Sequence, residues 1–127
     1  MPSIRLSNLP LKTFLELFHD QDPVERLELG DTLHPKAGWV DKAYFESTHG
    51  KIDRVKDLKS IPYDFPGLFF EAVINQVKVK SGDDDSFEVE SKDKARLQII
   101  LGRFRELKSV SRGFENAEIA FSKGEVY

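Results

Sequence analysis

Between Val77 and Val89 the apolar residues take every second position. Val77 and Val79 alternate with Lys78 and Lys80, and Phe87 and Val89 alternate with Glu88 and Glu90. Ser81-Gly82-Asp83-Asp84-Asp85-Ser86 lies between them. A period of two on both sides of a turn-forming cluster predicts a β-hairpin, and a hairpin with one apolar face must find something to cover it. With Val79 set opposite Phe87, Val77 falls opposite Val89 and Lys78 opposite Glu88. Each such cross-strand pair contributes roughly 0.2–1 kcal/mol.

The cover follows directly in the chain. Ser91 stands where a helix N-cap is expected and Asp93 in the first turn, and Leu97, Ile100, Leu101, Phe104 and Leu107 recur at helical spacing. At about 100° per residue these five occupy an arc of about 120°, the stripe of a helix packed on a sheet. Ile99 projects away from that stripe and is not explained by a single buried face. From Lys92 to Arg112, seven basic residues against Asp93 and Glu106 give a local charge of +5.

Upstream, Ile4 and Leu6 alternate around Arg5 as a short strand, and Pro10 opens a helix with an apolar stripe through Phe18. Asp22-Pro23-Val24-Glu25 combines a capping residue, a first-turn proline and a glutamate three residues after the cap, which predicts a second helix ending at Gly30. Residues 29–38 read as loop. Trp39, Val40, Ala43 and Tyr44 predict a third helix ending near Thr48, with Gly50 after it. Ile52, Val55 and Leu58 fit a short helical turn. Asp64 is placed to cap a helix carrying Leu68, Phe69, Ala72, Val73 and Gln76, which would feed the hairpin. Gly113 ends the long helix, and Ala117, Ile119 and Phe121 alternate as a last strand.

The expected fold is therefore α+β, a small single domain over residues 1–127. Short N-terminal helices precede an antiparallel hairpin, a long amphipathic helix and a C-terminal strand. The length of 127 residues and 39% hydrophobic content suffice for one core. Net charge is −3 and evenly spread: residues 1–64 hold nine basic and eleven acidic groups, residues 65–127 ten and eleven. A global field attracting nucleic acid or an anionic membrane is absent. Zero cysteines exclude a disulfide framework and a thiolate site and fit a cytoplasmic location, and no apolar run reaches the roughly 20 residues of a membrane span.

His19, Asp20 and Asp22 could share a divalent ion or form the centre of a metal-dependent enzyme, yet their spacing matches no ligand pattern, and polar residues closing a helix are the commoner explanation. Asp83-Asp84-Asp85 lacks the alternation and terminal Glu of a calcium loop. No nucleophile arrangement or phosphate loop is present, so neither catalytic residues nor a cofactor is assigned. The basic helix could meet phosphates through Lys92, Arg96 and Arg103 on one edge of its stripe, but basic side chains flanking a buried stripe also arise when they snorkel to water. The five carboxylates from Asp83 to Glu90 could neutralise that helix internally.

Ten phenylalanines are more than one small core easily hides. Phe69 and Phe70 cannot both centre one helical stripe, which leaves Phe70, Ile99 and Phe45, with Trp39, as interface anchors. The expected function is a non-enzymatic protein–protein interaction domain, an adaptor, inhibitor or assembly factor such as viruses also encode, binding another protein or itself through the outward side of the hairpin and long helix. The alternatives are a nucleic-acid-binding module and the His19-centred metal protein.

Overall fold

A computed structural model describes residues 2–31, 40–61, 68–82, 85–110 and 112–123. The elements in chain order are β1 (Ser3–Ser7), α1 (Leu11–Leu15), β2 (Val24–Asp31), β3 (Val40–Asp41), α2 (Lys42–His49), α3 (Val55–Lys59), β4 (Leu68–Ile74), β5 (Val77–Ser81), β6 (Phe87–Glu90), α4 (Lys94–Val110) and β7 (Glu118–Lys123). The strands form one antiparallel sheet in the order β3-β2-β4-β5-β6-β1-β7. The fold is α+β.

One apolar cluster lies on a single side of this sheet. Ile4, Leu6, Leu27, Leu29, Phe70, Ala72, Ile74, Val79 and Val89 meet Phe14 and Leu15 of α1, Val55 and Leu58 of α3, and Leu97, Ile100 and Phe104 of α4. The predicted stripe of α4 is thus buried, with Leu107 packed at its margin. Helix α1 is shorter than its stripe implied. Beyond Leu15 it tightens into turns in which Leu17 N–H donates to Phe14 O and Phe18 N–H to Leu15 O.

Two segments expected to be helical are central strands. In β2, Val24 pairs with Ile74 and Arg26 with Val73, so Glu25 is an extra residue, a β-bulge. The buried side chains therefore fall at Val24, Leu27 and Leu29, and the interval of three across the bulge imitates a helix. In β4, Phe70, Ala72 and Ile74 are buried while Phe69, Glu71 and Val73 are half-buried, a period of two that was equally present in the sequence. Pairing with β2 along Leu68–Ile74 on one side and with β5 from Glu71 to Ile74 on the other selects it, because backbone groups there find partners on both sides.

The β4–β5 connection is a two-residue turn with Asn75 at φ 50° and Gln76 at φ 67°. Positive φ at both central residues is the type I′ geometry that matches the strand twist. Asn75 tolerates it, and Gln76 is held there while Ser91 Oγ donates to its carbonyl at 3.3 Å.

The β5–β6 hairpin forms with the expected faces but a register shifted by two. Val79 pairs with Val89, Lys78 with Glu90, Lys80 with Glu88 and Ser81 with Phe87. A shift of two preserves which side chains face inward, so the patterning of these strands alone could not fix it. The start of α4 also differs by two residues. Asp93 Oδ1 accepts the N–H of Ala95, and Ser91 Oγ accepts that of Asp93, so Asp93 rather than Ser91 caps the helix.

Candidate functional site

Helices α1, α3 and α4 lie on the core side of the sheet, so the outward face of the β5–β6 hairpin and the exposed face of α4 point in opposite directions. A single partner surface spanning both, as the sequence implied, is not available. The outward face carries Glu28, Glu71, Lys80, Glu88 and Arg5 in one cross-strand row, and Arg26, Val73, Lys78 and Glu90 in the next. Within β2, β4, β5, β6 and β1 these two rows hold four acidic and four basic groups. Glu88 and Glu90 therefore face Lys80 and Lys78 across the sheet rather than neutralising α4.

On the helix side, Ile99 is 57% exposed. It stands at the rim of a cleft of about 130 Å³ between α4, the corner after α1 and the β4–β5 turn. Leu17, Phe18, Ile74, Val77 and Ile100 form its apolar floor, and His19, Asp22, Asn75 and Arg96 its polar margin. Apolar cavities of about 150 Å³ hold a benzene ring, so the cleft suits one branched or aromatic side chain.

The margin is held by Asp22. Its Oδ2 accepts the N–H of His19 at 2.9 Å and its Oδ1 the side-chain amide of Asn75 at 3.2 Å. Asp20 turns elsewhere, to an ion pair with Lys59 at 2.5 Å. The same corner is stitched to α3, where Val55 N–H donates to Asp22 O and Lys56 N–H to Asp20 O. The candidate metal trio therefore diverges: Asp22 accepts from His19 N–H and the Asn75 amide while Asp20 pairs across to α3. Among the described residues no three His, Cys, Asp or Glu side chains come together as a metal-binding group.

The hydrogen bond from Lys59, and then its charge, hold the Asp20 carboxyl below the ordinary 3.8. A carboxyl depressed in the folded state contributes stability above its unfolded pKa and loses it as pH falls through the folded value. In a Lys59→Met variant, carbon-detected NMR titration is expected to move Asp20 up to the ordinary carboxylate range. An unchanged titration would show that Lys59 is not the cause.

The basic residues of α4 are partly committed to the fold. Arg103 Nη2 donates to Glu16 O at 3.0 Å, fastening α4 to the end of α1. Lys108 donates to Ala117 O and lies 5.8 Å from the centre of the Phe104 ring. Arg96 reaches Asp93 at 3.8 Å, and Lys92 is exposed. The Nε atoms of Arg96 and Arg103 are buried without a hydrogen-bond partner. Arg96, Ile99 and Arg103 follow at i, i+3 and i+7, so two guanidinium groups flank the exposed isoleucine.

Of the aromatic anchors expected from sequence, Phe70 is 0% exposed and belongs to the core. As a strand, β4 sends Phe69 and Phe70 to opposite faces, which removes the conflict that had made Phe70 surplus. Trp39 lies outside the described residues, and Phe45 falls within α2 with its side chain outside them. Asp83 and Asp84 also lie outside them. The floor residues Leu17, Phe18, Ile74 and Val77 were missed as site residues because each reads as ordinary core. Ile99 carried a signal as the apolar residue off the stripe, and His19, Asp22 and Arg96 of the margin were singled out for other chemistries.

No protein-family model matches the sequence, and neither the curated proteins nor the solved structures contain a match. No helix among the described residues is long and apolar enough to cross a membrane.

Proposed function

We propose that this chain is a non-enzymatic protein-binding domain, and that the cleft beneath Ile99 receives an apolar side chain of a partner protein whose neighbouring carboxylate meets Arg96. The observation that carries this reading is the exposed Ile99 between Arg96 and Arg103, over an apolar floor. Burying an isoleucine contributes about 1.5–3 kcal/mol, the scale of an interface hot spot. A charge-assisted hydrogen bond to a guanidinium adds orientation. Such a site serves an adaptor, an inhibitor or an assembly factor alike, and the cysteine-free sequence suits a reducing cytoplasm.

The test is selection from a random displayed-peptide library against the folded domain. Recovered peptides should pair Leu, Ile or Phe with Asp or Glu. Their affinity should drop about thirtyfold in Ile99→Asp and about tenfold in Arg96→Gln, with the fold of each variant verified by circular dichroism. Peptides that bind both variants as tightly as the parent would place the binding surface elsewhere.

A further inference from the structure

Strand β7 is the outermost of its sheet: it pairs with β1, and no described strand lies beyond it. Exposed strand edges template further pairing unless charge, proline or a bulge blocks them. Here Phe121 pairs with Ile4 and Lys123 with Ser3, so Ser122 is a bulge that ends the straight segment at Phe121. Within that segment only Glu118 is charged, and there is no proline. Ile119 and Phe121 share the core side with their partners Leu6 and Ile4, and Ala120 lies on the outward side opposite Arg5. Phe121 is 40% exposed. Val110, 77% exposed, ends α4 just past the Lys108 contact that ties this helix to Ala117.

We propose that β7 pairs antiparallel with β7 of a second copy of this chain, about a two-fold axis through Ala120. Such an axis runs perpendicular to the sheet and keeps both sets of helices on one side. It permits only registers in which opposed residues share a face. Centred on Ala120, the register sets Ile119 of each copy against Phe121 of the other, and β-branched–aromatic pairs are favourable cross-strand neighbours. A centre on Ile119 sets Phe121 against the buried Ala117, and a centre on Phe121 sets Ile119 against Lys123 beyond the bulge. Self-complementarity thus singles out Ala120 as the centre. So short an edge buries less than the roughly 1,200 Å² of stable interfaces, so the dimer forms at high protein concentration.

The chain has no cysteine, so a single one reports the register. Residues opposed across antiparallel strands have Cα atoms about 4.5–5.5 Å apart, within disulfide reach. Under mild oxidation Ala120→Cys should form a disulfide-linked dimer at least about tenfold faster than Glu118→Cys, which the register sets opposite Ser122. Adding Phe121→Lys to Ala120→Cys should slow that reaction by a similar factor, with the fold verified by circular dichroism. Equal rates at positions 118 and 120, or a monomeric mass of the unaltered chain in sedimentation equilibrium at millimolar concentration, would overturn the proposal.

Discussion

Replacing Phe70 with alanine is expected to lower the free energy of unfolding by about 3–5 kcal/mol, the cost of removing a buried phenylalanine and leaving a cavity. Phe70 is fully buried in β4, opposite Leu29 of β2, and its N–H donates to Ser81 Oγ at 2.8 Å. Flanked by strands on both sides, it sits where the structure has little room to collapse into the void. Against a total of about 5–15 kcal/mol for a domain of this class, the variant should be close to unfolding. Urea denaturation at 25 °C measures this directly. Ile99→Ala in the same assay should change stability by no more than about 0.5 kcal/mol, since Ile99 is at the surface. A mild Phe70 variant beside a damaging Ile99 variant would reverse the assignment of core and rim.

A second large loss is expected for Phe14→Ala, again about 3–5 kcal/mol. The Phe14 ring stacks on Phe87 with centroids 4.1 Å apart and meets Phe18 edge-on at 5.6 Å. It joins α1 to β6. A helix of five residues has no stability of its own and persists only through such packing. Hydrogen exchange of the amides from Phe14 to Phe18 should therefore rise towards the unprotected rate in this variant, beyond what global destabilisation gives. A double-mutant cycle with Phe87→Leu should return a coupling of about 0.5–1.5 kcal/mol. A coupling near zero would mean that the stacked rings contribute only as apolar volume.

The elements legible in the sequence were those whose signal is local and uninterrupted. The alternation at Val77, Val79, Phe87 and Val89 marks the correct inward faces, and the stripe from Leu97 to Leu107 marks the buried side of α4. Ile99 was recognisable because it breaks that stripe. The misread segments have competing periods. Val24, Leu27 and Leu29 are spaced three and then two apart because Glu25 is a bulge, and nothing within the segment marks a bulge. From Leu68 to Gln76 helical and strand spacings coexist, and only the neighbours on either side decide between them. Asn75-Gln76 escaped notice as a hairpin turn because it has no glycine. The site was less legible than the fold: its floor consists of core residues, and its margin joins His19, Asn75 and Arg96 from distant parts of the chain.

By itself the sequence determined which face turns inward in β1, β5, β6 and α4, since there one uninterrupted period of the apolar residues matches the periodicity of the backbone. It also determined that the chain has no net field to draw in a polyanion. The tertiary structure alone decided that β2 and β4 are strands, that β1 lies between β6 and β7, and that the hairpin register sets Val79 opposite Val89. These depend on backbone hydrogen bonds between residues far apart in the chain, whose energy no local window contains. The same pairing put the charged hairpin face and α4 on opposite sides of one sheet, with Ile99 at the rim of a cleft on the helix side and β7 at the sheet's edge among the described residues.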